Sequence, residues 1–290
     1  MNNFEMIRPT TLEEAIANLA AGGEKMMPIA GGTDLIVKMK DHLLEPSTLV
    51  DLSLIKELQG ITVEGDRLRI GGAVTLTEIT ESKPVQANGF CLAQGASEVG
   101  STQIRNRATI GGNIGNASPA ADTVPALVAL GASAQVVGKD GVREIPVEEL
   151  FVGPGQTVLQ LTEIIASVAF PLPNENATDY YVKLGKRKAQ AISVVNAAVY
   201  LELDEQRKKF TGVRIALGSV APTVIRAKEA EEWLVGKEVN AENIAAATSL
   251  IEKTIKPISD VRSSAEYRKQ VSKKLVYKAI YEALERKSWI

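Results

Sequence analysis

Cysteine and histidine are almost absent from this chain: 290 residues contain one of each, Cys91 and His42. A single thiol excludes an intrachain disulfide framework. It also excludes an iron–sulfur cluster held by this chain alone, because such clusters take about four thiolates. A protein zinc site lacks the ligands it would need. A Ser-His-Asp triad would have to use His42, which sits in the polar stretch Lys40-Asp41-His42 and reads as a solvated loop or helix-end residue. Excess charge is missing too. The formal net charge is -2, so no basic field argues for nucleic acid or an anionic membrane. No apolar run approaches the ~20 residues that cross a bilayer. The stretch from Met1 to Thr10 lacks the basic-then-apolar order of a signal peptide, which points to the cytoplasm. With catalytic side chains this scarce, redox chemistry would reside in a bound cofactor.

What is present is ordinary for a globular protein, 45% hydrophobic and 23% charged. The length suits two or three compact units, since single cores stop growing at roughly 250–300 residues. The opening segment reads strand, helix, strand. Phe4 to Ile7 is short and apolar. Thr11 with Glu14 forms a capping-box pattern, and Leu12, Ala15, Ile16 and Leu19 lie at helical spacing. Gly22-Gly23 ends that helix, and Met26 to Ala30 forms a buried strand.

The middle segment reads as strand-rich. Ile61–Val63 and Leu68–Ile70 make one hairpin, and Ala134–Val137 and Val142–Ile145 another. Ile164 to Phe170 is a further strand. The Pro/Asn stretch from Pro171 to Asn176 marks the domain boundary. Beyond it, Val195, Ala197, Val199, Leu201 and Leu203 alternate with Asn196, Ala198, Tyr200 and Glu202, the pattern of a half-buried strand, with Val213–Leu217 as its neighbour. Helices follow over Ala227–Val235, Ala241–Thr254 and Ser264–Glu285. In the last, Tyr267, Val271, Leu275 and Ala279 recur every four residues as a packing face.

Two glycine-rich motifs stand out. The first is Pro28-Ile29-Ala30-Gly31-Gly32-Thr33-Asp34-Leu35. A strand runs into paired glycines and then a polar turn, where successive N–H groups can form an anion-binding concavity. Thr33 adds a hydroxyl. Asp34, acceptor-only when ionised, is expected to cap the next turn or bond backbone N–H groups. A valine at Gly31 or Gly32 is expected to empty such a site and leave the fold largely intact. The second motif runs from Thr109-Ile110-Gly111-Gly112-Asn113-Ile114-Gly115 to Asp122, with Asn116 and Ser118 inside it. Asp122 stands where it can cap a helix carrying Pro125 in its first turn. Neither motif is a Rossmann or P-loop fingerprint. Each alone suits a structural turn; the pair, more than 75 residues apart, points to a shared phosphate-bearing ligand.

Ala30-Gly31-Gly32-Thr33-Asp34-Leu35, followed by Gln103-Ile104-Arg105-Asn106-Arg107-Ala108-Thr109-Ile110-Gly111-Gly112-Asn113-Ile114, resembles the FAD-binding (medium) subunit of the xanthine dehydrogenase, or molybdenum hydroxylase, family. Aerobic carbon monoxide dehydrogenase and nicotinate dehydrogenase are branches of it. The stretches Lys183–Lys188 and Ala191–Asn196 look like the same family, and the resemblance covers essentially the whole chain. It implies an α+β protein. A two-part FAD-binding region of the vanillyl-alcohol-oxidase (PCMH) type would cover 1–173, in subdomains of about 1–58 and 59–173. A C-terminal domain of a three-stranded antiparallel sheet and a helical bundle would cover 177–290.

By motif match, Pro28, Ile29, Ala30, Gly31, Gly32, Thr33, Asp34 and Leu35 would wrap the pyrophosphate of a non-covalently held FAD. Thr109, Ile110, Gly111, Gly112 and Asn113 would form a second wall. Asp122 would bond the adenosine end, Ile165 would pack on the flavin, and Lys183 would supply a cation near it. Ser101 would be a further contact. The family implies partners: a large subunit with molybdopterin that oxidises the organic substrate, and a small subunit whose [2Fe-2S] clusters pass electrons to FAD here, and so to NAD+ or another acceptor. Lys183, Lys186, Arg187 and Lys188 would form a basic docking stretch. Gln190-Ala191 stands where some relatives have Gly-Asp, and the single cysteine excludes the inserted cluster loop of hydroxybenzoyl-CoA-reducing relatives. A self-contained FAD oxidase and a non-catalytic nucleotide-binding module are the competing readings.

Overall fold

The computed structural model describes residues 2–290. A parallel three-stranded sheet comes first, in the order β1-β3-β2, from β1 (Glu5–Ile7), β2 (Met26–Ile29) and β3 (Thr48–Asp51). Helix α1 (Leu12–Gly22) joins β1 to β2. Thr11 Oγ1 accepts the Glu14 N–H at 3.2 Å, while the Glu14 carboxylate reaches back to the Thr10 N–H rather than to that of Thr11. Ala15, Ile16 and Leu19 are the buried face, and Gly23 ends the helix at a φ of 55°. Helix α2 (Leu35–Lys40) follows β2.

A second sheet orders its strands β4-β5-β10-β6-β7, all antiparallel: β4 (Ile61–Glu64), β5 (Arg67–Gly71), β6 (Ser133–Gly138), β7 (Gly141–Pro146) and β10 (Ile164–Pro171). Both expected hairpins are present, and a small hairpin, β8 (Phe151–Gly153) and β9 (Gln156–Thr157), precedes β10. The strand-rich reading of this region is incomplete. Between β5 and β6 lie six helices: α3 (Leu76–Glu81), α4 (Lys83–Asn88), α5 (Phe90–Ser97), α6 (Thr102–Arg105), α7 (Ile110–Gly115) and α8 (Thr123–Ala129). None exceeds eight residues, so none fills the 11–18-residue window in which helical periodicity becomes visible.

The third sheet runs β11-β12-β13-β14: β11 (Ala177–Leu184), β12 (Val195–Leu203), β13 (Phe210–Gly218) and β14 (Ile225–Arg226). Three long antiparallel strands match the expectation, and the two-residue β14 adds a fourth. Helices α9 (Lys228–Leu234), α10 (Ala241–Thr254) and α11 (Ala265–Arg286) complete the chain. The face of α11 drifts as 3.6 residues per turn requires: Leu275 and Ala279 are buried, but Tyr267 is half exposed.

Strand β12 corrects the half-buried reading, for both of its faces are covered. Val195, Ala197, Val199 and Leu201 join the core formed with α9, α10 and α11. Ala198 and Tyr200 join a different core, built around α5, α8 and the second sheet. The sheet is thus sandwiched between its own helices and the preceding unit. Small Ala198 and amphipathic Tyr200 on the second face mimic a solvent side in sequence.

Candidate functional site

A cleft of about 870 Å³ opens where the three sheets approach one another. That is toward the upper end of small-molecule and cofactor sites, roughly 300–1,000 Å³. Its walls combine both glycine motifs. Pro28 through Leu35 line it, as do Thr109, Gly111, Gly112, Asn113, Asp122 and Ile165.

The first motif leaves β2 and turns sharply, with Gly32 at a φ of 72°, before α2 begins. Among the described residues, no acceptor takes the N–H of Gly31, Gly32, Thr33 or Asp34. Four successive unpaired amides on a cleft wall form a nest for an anion. A diphosphate supplies the acceptors that this backbone lacks, so the residues present fit a dinucleotide cofactor. Asp34 corrects the sequence reading: its carboxylate neither caps α2 nor takes a backbone N–H. It accepts the Asn116 Nδ2 at 3.1 Å, while Asn116 Oδ1 accepts Lys38 Nζ at 2.8 Å. This chain ties the first motif to the second.

The second motif is helical rather than a turn. Thr109 caps α7 through Gly112 N–H, Ile110 N–H goes to Val74 O, and Gly111 N–H goes to Gly72 O. Its backbone amides are spent inside the protein. Asn113 Oδ1 takes the Thr123 hydroxyl at 2.6 Å, and Asn113 lines the cleft.

The glycines serve the chain's own crossings. A Cβ on Gly31 would lie 1.9 Å from Arg107 O, one on Gly111 2.7 Å from Gly72 O, and one on Gly72 2.0 Å from Ile165 O. Gly31 is therefore required by the fold, contrary to the expectation that valine there spares it. At Gly32 the nearest atoms are side-chain carbons, Ile29 Cδ1 at 3.0 Å and Ile36 Cγ1 at 3.4 Å. Gly71-Gly72 was missed by sequence reasoning, although it repeats the signal of a strand running into paired glycines. Ile165 sits at a bulge in β10, which re-aims the strand beside the cleft.

Three expected contacts do not line the cleft. Ile110 is fully buried in the core. Ser101 spends its hydroxyl as the cap of α6. Lys183 turns behind Asp122, donating to Asp122 Oδ2 at 2.7 Å and Glu98 O at 2.9 Å. It thus leaves the basic docking stretch, of which Lys186, Arg187 and Lys188 remain exposed. Asp122 stands at the start of α8 but makes no cap bond, so the capping reading is set aside. Its carboxylate is held by Tyr181, Ser193, Asn196 and Lys183. Burial, then the neighbouring Asp122, keeps the Tyr181 phenol well above its usual pKa, so it stays a donor. Sequence reasoning also missed the rim from the C-terminal region, Gln190, Ala191, Ile192 and Arg262. The one signal was the Gly-Asp pair that some relatives carry at Gln190-Ala191, for Gln190 adopts a φ of 53°, a conformation that favours glycine.

His42 lies just beyond α2, exposed and paired with Glu45 at 2.9 Å. Cys91 is fully buried in α5, its N–H on Asp179. Burial first, then the Asp179 charge, pushes its thiol well above the usual range. A thiol reagent should label it only after denaturation; rapid labelling of the native protein would contradict that placement.

Comparison with known proteins places this geometry. Residues 2–173 match the family described as the FAD binding domain in molybdopterin dehydrogenase, and residues 180–283 match the CO dehydrogenase flavoprotein C-terminal domain. The chain is 33% identical over 279 residues to the xanthine dehydrogenase FAD-binding subunit of Escherichia coli O157:H7, covering 96% of this chain and 94% of that one. It is 33% identical over 275 residues to the nicotinate dehydrogenase FAD-subunit of Eubacterium barkeri, covering 93% and 92%. A crystal structure of carbon monoxide dehydrogenase from Hydrogenophaga pseudoflava, lacking the Mo-pyranopterin moiety of its molybdenum cofactor, superposes with a TM-score of 0.94 at 32% identity, covering 98% of each chain. The chain belongs to the FAD-binding medium subunits of the xanthine dehydrogenase and carbon monoxide dehydrogenase family, flavoprotein components of molybdenum-dependent oxidoreductases.

Proposed function

We propose that this chain is the electron-relay subunit of a multi-subunit molybdenum hydroxylase. It would take electrons from the [2Fe-2S] clusters of a small partner subunit and deliver them to NAD+ or another acceptor. A large molybdopterin subunit would oxidise the organic substrate. The observation that carries the reading is the nest of four unpaired amides, Gly31 to Asp34, on a cleft of dinucleotide size. When bound, FAD supplies electron exchange between one-electron centres and a two-electron acceptor. The protein's part is to bind and orient. Pro28 to Leu35 would cradle the pyrophosphate, Thr109, Gly111, Gly112 and Asn113 would form the facing wall, and Ile165 would pack an apolar side chain on the ring. We assign 1–173 to FAD binding and 177–290 to a domain that closes the cleft with its 190–192 and 262 rim.

Support for partner subunits comes from composition. One cysteine and one histidine cannot ligate the clusters that feed such a flavin. Among the described residues, no group of three or more His, Cys, Asp or Glu is placed to hold a metal ion. No helix there is long and apolar enough to cross a membrane. Lys186, Arg187 and Lys188 are the exposed basic residues near the rim that a docking partner would meet.

The test is to express the chain alone and with its neighbouring subunits. Alone, it should carry FAD that denaturation releases into the supernatant, and it should show at most weak NADH-to-dye activity. With partners, oxidation of a heterocycle or aldehyde should appear. Turnover of such a substrate by the single chain at on the order of 1 per second or more would replace this reading with a self-contained oxidase. A colourless protein that takes up no flavin would leave only a nucleotide-binding module.

A further inference from the structure

Five charged side chains line the cleft: Asp34, Lys38, Asp122, Glu163 and Arg262. Three of them are matched by opposite charges of the chain. Asp122 pairs with Lys183 at 2.7 Å, Glu163 with Arg143 at 2.8 Å, and Arg262 with Asp260 at 3.1 Å. Asp34 and Lys38 are left, and among the described residues neither stands in an ion pair. Lys38 is thus the cleft-lining cation that no carboxylate of the chain answers.

The spacing favours a different outcome. Asp34 precedes Lys38 by four residues, at the start of α2. An acid four residues ahead of a lysine is the better order for an ion pair along a helix. The pair does not form because Asn116 stands between the two groups. Its Oδ1 accepts Lys38 Nζ at 2.8 Å, and its Nδ2 donates to Asp34 Oδ1 at 3.1 Å. A side-chain amide carries an acceptor and donors together, so it satisfies an ammonium and a carboxylate at once. Asn116 directly follows α7, so the second glycine motif supplies the group that parts the charges of the first. An ammonium has three N–H donors, and Asn116 takes one; among the described residues the others have no acceptor. Lys38 is also half-buried, which limits how far water alone can solvate that charge.

A diphosphate diester is doubly negative. The nest from Gly31 to Asp34 meets it with neutral amides, and the Asp34 carboxylate on the same wall adds like charge. We propose that Lys38 is a cofactor-binding residue whose ammonium is the counter-cation of the FAD diphosphate, held at the cleft wall and off Asp34 by Asn116. This rests on the cleft being the FAD site. It adds to the nest the one element that backbone amides lack, a full positive charge.

The experiment titrates FAD into the flavin-free full chain and into its Lys38→Met, Lys38→Arg and Lys40→Met variants, at low and high salt. Thermal melts of the flavin-free proteins run alongside. Lys40 is exposed on the same helix and does not line the cleft, so it reports the general field of that surface. Loss of a charge-assisted hydrogen bond should weaken FAD binding by about tenfold to a hundredfold in Lys38→Met at low salt. The gap to wild type should narrow between about 0.01 M and about 1 M salt, as the Debye length falls from about 30 Å to about 3 Å. Lys38→Arg should keep most of the affinity and the wild-type salt dependence, since a guanidinium also bonds phosphate. Lys40→Met should bind FAD as wild type does. Equal affinity in Lys38→Met and wild type would overturn the assignment. So would a gap that is the same at every salt concentration, or a flavin-free Lys38→Met chain that melts well below wild type; both mark a lysine that only ties the two motifs together through Asn116. An equal loss in Lys40→Met would assign the effect to the surface field and overturn it too. A wild-type chain that takes up no FAD would sink the functional reading itself, so the wild-type titration tells the two failures apart.

Discussion

Gly31→Ala should cost the protein both its flavin and a large part of its stability, although it adds one methyl group. That methyl would sit 1.9 Å from the Arg107 carbonyl oxygen and 3.0 Å from the Ala108 Cα, both backbone atoms of the chain leading into the second motif. Backbone cannot rotate away as a side-chain end can, so the two motifs must separate. Overpacking a core commonly costs about 1–3 kcal/mol, and a clash with backbone should fall at or above the top of that range. The nest formed by Gly31 to Asp34 moves with it, so flavin content should collapse as well. Gly32→Val is the contrasting case. Its φ of 72° makes any side chain strained by about 1–2 kcal/mol, but its steric neighbours are side-chain atoms of Ile29 and Ile36 rather than backbone. That variant should stay folded and lose FAD. Gly115, with nothing within 4 Å of its Cβ position, gives the control: Gly115→Ala in α7 should be neutral or slightly stabilising. Thermal melts and flavin-to-protein absorbance ratios of the three proteins decide the matter. A Gly31→Ala protein with wild-type melting and full flavin would refute the crossing argument.

The same contrast shows what the sequence could reveal. Gly31-Gly32 and Gly111-Gly112 announced themselves because paired glycines after an apolar run are a local signal, and local signals survive in sequence. What each glycine faces is a long-range fact. Gly31 meets Arg107 and Gly111 meets Gly72, so neither partner can be read from neighbours in the chain. Hairpins and the longer helices were legible because their periods repeat over enough residues. The short helices α3 to α8 are not, and the helical form of the second motif, capped by Thr109, does not show in its sequence. Lys183 and Asp122 were both picked out as single residues near a cofactor. Their 2.7 Å contact with each other, across 61 positions, is the product of the β11–β12 sheet packing on α8, which no pattern within either segment encodes.

Arg268 should be the most stability-sensitive charged residue of the C-terminal region, and its loss should reach the cleft. It lies on α11, only 3% exposed, and its guanidinium spans three acceptors: Val194 O at 3.0 Å, Ser219 O at 2.8 Å and Asp260 Oδ1 at 2.7 Å. Burial opposes the Asp260 carboxylate, but the Arg262 N–H and the Arg268 guanidinium outweigh it and hold its pKa below the ordinary value. The folded state therefore gains from this carboxylate at neutral pH, and the gain disappears as pH falls through the lowered pKa. Val194 ends the loop from β11 to β12 whose Gln190, Ala191 and Ile192 line the cleft, and Asp260 pairs with Arg262 on the cleft rim, so one guanidinium braces both C-terminal contributions to the cleft. Arg268→Met keeps the stem's bulk, strands the Val194 and Ser219 carbonyls, and leaves Asp260 only with Arg262 and the Ser263 N–H. Removing one partner of a buried ion pair typically costs about 3–5 kcal/mol. For a chain of this size that corresponds to a fall in melting temperature of roughly 10 °C. Arg268→Lys should recover little, because a single ammonium cannot span acceptors arranged for a planar fork. The deficit of Arg268→Met relative to wild type should be constant near neutrality and shrink in acid as Asp260 protonates. Denaturant melts of the three proteins across that range are the measurement. A Met variant within about 1 kcal/mol of wild type at pH ~7, a typical surface-substitution effect, would show that Val194, Ser219 and Asp260 find other partners and that the brace is dispensable.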